Sequence, residues 1–148
     1  MFDVLKINEA CKEQHEAVLA KGFEHQPIAT NLMLIVSELS EAMEADRHNR
    51  HADTEAWNNE TPTTIHSIAD DAVLYKMPNG HLTDKEFAQA MCKHAFEKHI
   101  KDTFEDEIAD AFLRLMDLCG EYGIDIEWHI KAKAAYNQIR PIKHGKAY

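Results

Sequence analysis

Two pairs of acidic residues have a spacing that could bind a divalent cation. Glu38 and Glu41 lie three residues apart in one apolar segment, and Glu107 and Asp110 repeat that spacing much later in the chain. If each segment is helical, the two carboxylates of a pair leave the same face about one turn apart. Two such helices side by side would bring four carboxylates together, and like charges at short range raise each other's pKa. A divalent cation removes this repulsion, and carboxylate oxygens are the ligands that Mg²⁺ and Mn²⁺ prefer.

A cation held in this way could keep open positions for phosphate oxygens and a nucleophilic water. A single Glu-x-x-Glu is common on solvated helix faces and would indicate little. Here both pairs lie inside apolar strings, beside residues such as Leu39 and Ile108, which favours a site between helices. A carboxylate-bridged iron site would need Glu-x-x-His on two helices, and no histidine in the sequence has a glutamate three residues before it. If these acid pairs bind a metal ion, Mg²⁺ or Mn²⁺ is therefore favoured over iron.

The C-terminal segment concentrates cations in an otherwise acidic chain. Lys133, Asn137 and Arg140 lie at four-and-three spacing and would share one face of a helix. An arginine fork and a lysine point charge both suit phosphate oxygens. Cations near a helix end also complement the helix dipole, so this tail alone is ambiguous. Together with the acid pairs, it favours a triphosphate held by both metal and basic residues.

Helical patterns dominate the sequence and would carry both acid pairs. Residues 3–21 have a helical rhythm that stops at Gly22, a common helix-ending residue. Residues 28–48 follow Pro27, which suits a helix start, and are apolar on nearly every side, which is typical of a central helix. Strand-like alternation is absent from the sequence. We therefore predict an all-α fold, a bundle of about four to six helices.

The segment between the acid pairs should contain a loop, a turn and further helices. Residues 49–62 have the composition of a polar loop, and residues 64–74 could hold a short helix. Pro78-Asn79-Gly80 is a turn signal. Residues 83–86, Thr-Asp-Lys-Glu, form a capping box that predicts a helix extending to about His99.

The last part of the sequence predicts two more helices. Asp102 or Thr103 could cap the helix of the second acid pair, which should end near Gly120 to Gly123. Asp125 could then cap a final helix over residues 126–139, which a following proline would stop.

Composition limits the classes of function. The 148 residues, 45% hydrophobic and 28% charged, indicate one globular domain over 1–148. A formal net charge of −10 disfavours nucleic acid polymers and anionic membranes as partners. Three widely spaced cysteines indicate neither a disulfide framework nor a zinc ribbon. Since neither a signal peptide nor a membrane span is evident, we expect a cytoplasmic protein.

Three short motifs, in this order, resemble the MazG-like all-α nucleoside triphosphate pyrophosphohydrolases. They are Glu-Leu-Ser-Glu-Ala at 38–42, Asp-Glu-Ile-Ala-Asp at 106–110 and Lys-x-x-Tyr-Asn-x-x-Arg-Pro at 133–141. The tail at 144–146, His-Gly-Lys, is also similar to the end of that family. The resemblance implies Mg²⁺-dependent hydrolysis of a (deoxy)nucleoside triphosphate to the monophosphate and pyrophosphate, removing surplus or non-canonical nucleotides.

The resemblance also implies roles for individual residues and an oligomeric state. Glu38, Glu41, Glu107 and Asp110 would hold the metal and form the catalytic centre, in a homodimer or homotetramer. Residues 49–101 form an atypical insertion that could cap the site, build a subunit interface or set base selectivity. The implied substrate contacts are Asn31, Arg47, Lys133, Asn137, Arg140 and Lys143.

Two other interpretations stay open on the sequence alone. The chain could be a non-catalytic helical module that binds nucleotides or partner proteins. Histidines such as His48 and His51 could form a transition-metal site, although their spacing is not the i, i+4 pair of a zinc-binding helix. Trp57 and Trp128 could each stack on a base, but tryptophan is more often a core or interface residue.

Overall fold

The computed structural model describes residues 6–61 and 75–141, and over these ranges the chain is all-helical except for one small hairpin. This confirms the predicted all-α class. The helices are α1 (Ile7–Ala20), α2 (Ile28–Arg47), α3 (Thr54–Glu60), α4 (Lys85–His99), α5 (Phe104–Glu121) and α6 (Ile126–Ile139). The strands are β1 (Tyr75–Lys76) and β2 (Leu82–Thr83).

Local capping residues define several helix ends. The side chain of Asp125 accepts a hydrogen bond from the backbone of Trp128 at 3.1 Å, so α6 begins where its cap predicts. Thr103 accepts from the backbone of Asp106 at 3.4 Å at the start of α5. At α4 the cap is Asp84 rather than the first residue of the predicted capping box, since its carboxylate accepts from the backbone of Phe87 at 2.8 Å.

The segment predicted as a polar loop over 49–62 is partly helical, and that prediction is wrong for α3. Asp53 caps this helix through a 2.8 Å hydrogen bond from the backbone of Ala56. Trp57 is buried, with 8% of its surface exposed, and α3 packs against α4. Burial of one large aromatic side chain therefore stabilises a helix too short to show a periodic pattern.

A two-stranded hairpin precedes α4. The sequence pattern did not predict this hairpin. Its strands are antiparallel, with Tyr75 opposite Thr83 and Lys76 opposite Leu82. The predicted turn at 78–80 is confirmed, since the backbone N–H of Gly80 donates to the carbonyl of Met77 at 2.8 Å. The short helix predicted over 64–74 lies outside the described residues.

The chain divides into two compact units. The terminal unit comprises the described residues of 1–35 and 111–148, and the central unit comprises those of 36–110. In the terminal unit α1 contacts α6, and Ile35, Ala111 and Leu118 form a buried cluster. The buried apolar residues of the central unit are Ala42, Ala45, Trp57, Ala88 and Ala95.

Helix α2 is more exposed in the single chain than a central helix would be. Residues on several of its sides retain 37–64% of their surface. Helix α5 likewise has large apolar side chains exposed to solvent. The exposed residues of α2 are Ile28, Leu32, Met33, Leu34, Val36, Leu39 and Met43.

No helix within the described ranges combines the length and the apolar character that crossing a membrane requires.

Candidate metal centre

Three of the four predicted carboxylates come together in the central unit. Glu38 and Glu41 lie on α2, and Glu107 lies in the first turn of α5. Each offers one carboxylate oxygen, and these oxygens all lie within 4.8 Å of one another. We call these three residues the carboxylate group. The three-residue spacing on α2 places two of its members on one face, as the sequence predicts.

The carboxylate group has a buried part and a solvent-facing part. Glu38 and Glu107 are 8% and 6% exposed, whereas Glu41 is exposed. The hydroxyl of Ser37 donates to Oε1 of Glu41 at 3.2 Å and restrains its position. Two carboxylates are thus held close together with little access to water, and a cation between them would offset their mutual repulsion.

The electrostatics of Glu107 reflect this crowding. Its pKa is raised from 4.5 to about 7, mainly by burial and also by the negative charges of Glu41, Asp106, Glu38 and Asp110. In the metal-free protein, the Glu107 carboxyl group would therefore be protonated in about half of the molecules near pH 7. A bound cation would favour the ionised form instead.

Asp110, the fourth predicted ligand, is not part of the carboxylate group. Its side chain is exposed, although it lies close enough to contribute to the raised pKa of Glu107. Aspartate is one methylene shorter than glutamate, so the same helix face does not give it the same reach. A role for Asp110 as a ligand stays a prediction.

The carboxylate group fits a small divalent cation by donor type and approximate size. Opposite ligand oxygens on an octahedral Mg²⁺ are about 4.2 Å apart, twice the usual Mg–O distance. The 4.8 Å span of the three oxygens therefore needs only a small adjustment of flexible glutamate side chains. Three carboxylates would leave other positions of an octahedral ion for water or phosphate oxygens.

The predicted substrate residues divide between the two units. Arg47 belongs to the central unit, where it is exposed and lies 3.6 Å from Glu44. Asn31 belongs to the terminal unit and donates to Oε2 of Glu121 at 3.2 Å. Lys143 lies outside the described residues.

The basic tail residues lie near the end of α6 in the terminal unit. Lys133 Nζ is 5.4 Å from the centroid of the Tyr136 ring, and Arg140 Cζ is 5.6 Å from it. The carbonyl of Asn137 accepts from the backbone of Arg140, which caps the helix. Both cations therefore lie within cation–π distance of one exposed ring.

The histidine interpretation finds no support in the part of the chain that the structure describes. Among residues 6–61 and 75–141, the only group of three potential ligands is the carboxylate group. His48 instead interacts with the carbonyl of Glu44 at 2.9 Å, and His51 with Glu105 at 3.0 Å. Trp57 is a core residue, whereas Trp128 is 61% exposed.

Sequence reasoning did not identify the contacts that surround the start of α5. Oε2 of Glu105 accepts a hydrogen bond from the backbone of Ala52 at 2.9 Å. This bond is the main cause that holds the pKa of Glu105 below its usual value, and the bond with His51 adds to the effect. An open cleft of about 390 Å³ lies nearby, lined by Asn49, Arg50, His51, Asp53, Lys98, His99, Lys101, Asp102 and Thr103.

Comparisons of the chain with protein-family models, with curated proteins and with solved structures find no match. Any assignment of function therefore depends on the motifs and on the geometry of the carboxylate group.

Proposed function

We propose that the chain is a Mg²⁺-dependent nucleoside triphosphate pyrophosphohydrolase of the MazG-like type. The observation that carries this proposal is the convergence of Glu38, Glu41 and Glu107 from two distant helices to within 4.8 Å. Two of these carboxylates are buried, which distinguishes them from acidic residues on a solvated face. The proposed substrate class comes from the resemblance of the three sequence motifs to the MazG-like enzymes.

The carboxylate residues have distinct positions in the proposed site. Glu38 and Glu107 would bind the ion from the buried side, Glu41 from the solvent side, and Asp110 would complete the set from the next turn of α5. When bound, Mg²⁺ would neutralise phosphate charge and lower the pKa of a coordinated water. One carboxylate would orient the attacking water and accept its proton.

The reaction would be in-line attack of water on the α-phosphate. The new bond joins the water oxygen to the α-phosphorus, and the bond from that phosphorus to the bridging oxygen of pyrophosphate breaks. The products are a nucleoside monophosphate and pyrophosphate. Cations of the chain would oppose the charge on the phosphates, and the proposed contacts are Asn31, Arg47, Lys133, Asn137, Arg140 and Lys143.

We further propose a cytoplasmic homodimer or homotetramer. Met33, Val36 and Met43 on α2 are each at least half exposed, and Phe112 on α5 is 56% exposed. Large apolar patches on a soluble protein commonly mark an interaction surface. A second copy of the chain would remove these side chains from water.

The test is a panel of ribo- and deoxyribonucleoside triphosphates incubated with Mg²⁺, with products identified by ³¹P NMR and ion-exchange chromatography. We expect each cleaved triphosphate to release equal amounts of nucleoside monophosphate and pyrophosphate. Glu38→Ala should abolish this release, and Glu13→Ala, which alters an exposed acid on α1, should not. Release of orthophosphate and a diphosphate would contradict attack at the α-phosphate. Binding of triphosphates without release would favour the non-catalytic module.

A further inference from the structure

We propose that Glu105 is a positioning residue that holds the start of α5 against the segment following α2, and so sets the geometry of the carboxylate group. Its catalytic consequence rests on the proposed function. Oε1 of Glu105 lies 3.0 Å from Nδ1 of His51, and Oε2 accepts from the backbone of Ala52 at 2.9 Å. One carboxylate thus binds two consecutive residues of another segment.

These contacts lie close in sequence to the two helices that carry the carboxylate group. Glu105 is two residues before Glu107 on α5, and Ala52 follows the end of α2 at Arg47 by only a few residues. The backbone N–H of Phe104 also donates to the carbonyl of Arg50 at 3.0 Å. Three hydrogen-bonding contacts therefore join the start of α5 to residues 50–52, the segment that follows α2.

The connecting backbone is also tightly turned. Asn49 and Asp102 have φ values of 52° and 59°, in the left-handed region that few non-glycine residues adopt. Asn49 directly precedes residues 50–52, which contact the start of α5, and Asp102 lies two residues before α5 begins. Such turns leave little freedom to compensate for a lost contact.

Glu105 does not serve to make α5 helical. Thr103 Oγ1 accepts from the backbone of Asp106 at 3.4 Å, and Oδ2 of Asp106 accepts from the backbone of Asp102 at 3.0 Å. These bonds cap the helix without Glu105. Loss of Glu105 should therefore change where α5 begins relative to residues 50–52, rather than whether it forms.

The side chains of His51 and Glu105 are about half exposed, at 45% and 50%. An ion pair this exposed would by itself add little to the stability of the contact. The bond from a backbone N–H is different because the donor is fixed to the main chain and the acceptor is ionised. Mutation of a residue that hydrogen-bonds to a metal ligand and orients it commonly lowers metal affinity by about 10–100-fold. We expect an effect of this kind on the carboxylate group.

The experiment measures Mn²⁺ binding to the full chain by electron paramagnetic resonance, and hydrogen exchange at the amide of Ala52. Glu105→Ala should weaken Mn²⁺ binding at least about tenfold and accelerate exchange at this amide. Glu105→Gln keeps an acceptor oxygen and should recover most of the affinity. Glu86→Ala is the matched control, since Glu86 occupies the same second position of α4 and shares any effect of the helix dipole.

In turnover assays, Glu105→Ala should raise the Mg²⁺ concentration needed for half-maximal rate and leave kcat at saturating Mg²⁺ within about threefold. Unchanged Mn²⁺ affinity in Glu105→Ala, with affinity lost in Glu38→Ala, would overturn the positioning role and leave the proposed function intact. Absence of Mn²⁺ binding by the unaltered chain would overturn both. Normal Mn²⁺ binding without hydrolysis would contradict only the proposed function.

Discussion

The carboxylates of Glu38 and Glu107 are both buried, and each offers an oxygen within 4.8 Å of the other although the residues lie far apart in the chain. Folding has therefore brought two carboxyl groups together in a position with little access to water. Repulsion and desolvation both oppose such an arrangement. A group of this kind is more readily explained by a function that needs the charges than by stability.

Removing either buried carboxylate should abolish turnover without unfolding the protein. Glu38→Ala and Glu107→Ala should each lower kcat/KM for a cleaved triphosphate at least a hundredfold, or about 2.7 kcal/mol of transition-state stabilisation. Far-UV circular dichroism should stay nearly unchanged, because neither residue caps a helix. The assay is pyrophosphate release at saturating Mg²⁺. Retention of more than about a tenth of the rate in either variant would show that its carboxylate is not essential.

The raised pKa of Glu107 predicts a pH dependence of stability in the metal-free protein. Its pKa is about 7 in the folded chain against 4.5 for the ordinary group, so the folded state binds the proton more tightly than the unfolded state does. The resulting stabilisation is fully present below pH 4.5 and is lost as the pH rises to about 7. Glu107→Gln, which resembles the protonated acid, should lack this loss. Thermal unfolding between about pH 4 and pH 8, with metal chelated, measures the difference, and equal pH slopes in the two proteins would contradict it.

The same proton should compete with the metal. A carboxylate must ionise to bind the cation, so Mn²⁺ affinity should rise about tenfold per pH unit below the pKa of Glu107 and level off above it. Titrations of Mn²⁺ binding between about pH 5.5 and pH 8.5 measure this slope. Glu13→Ala should keep the same profile, because its carboxylate lies on an exposed face of α1. An affinity independent of pH would mean that Glu107 does not bind the ion.

The helix ends could be predicted because their causes are local. Asp125 caps α6 through its own side chain, and Pro141 follows where that helix has ended. Helix α3 could not be predicted because it depends on burial of Trp57 and on packing against α4, a partner distant in sequence.

The candidate site shows the same division between local and tertiary causes. The spacing of Glu38 and Glu41 predicts a shared face, because that depends only on helix geometry. The position of Asp110 outside the group depends on side-chain reach and on how α5 is rotated, which spacing does not determine. The contacts of Glu105 involve residues 51 and 52, which lie in a polar stretch without periodic pattern.

Gly120 marks a close backbone approach of α1 to α5 in the terminal unit. A Cβ added there would overlap the carbonyl oxygen of Cys11 and lie 2.8 Å from Cβ of His15. Backbone atoms within a helix cannot yield cheaply, so Gly120→Ala should destabilise the protein by about 1–3 kcal/mol, despite the better helix propensity of alanine. Urea denaturation measures this change. Gly22→Ala is the control that introduces backbone strain at φ 85° without a steric contact, and a smaller loss in Gly120→Ala would contradict the close approach.

Trp57 combines a buried ring with a buried polar atom. Its Nε1 has no hydrogen-bond partner within the described ranges of the chain, so the ring contributes by apolar burial while the N–H opposes folding. Trp57→Phe should therefore cost less than about 1.5 kcal/mol, whereas Trp57→Ala should cost about 3–5 kcal/mol by leaving a cavity between α3 and α4. Urea denaturation of the two variants separates the contributions of ring and donor. Equal destabilisation would mean that the indole N–H makes a bond that phenylalanine cannot replace, and that α3 depends on this bond rather than on the burial of the ring.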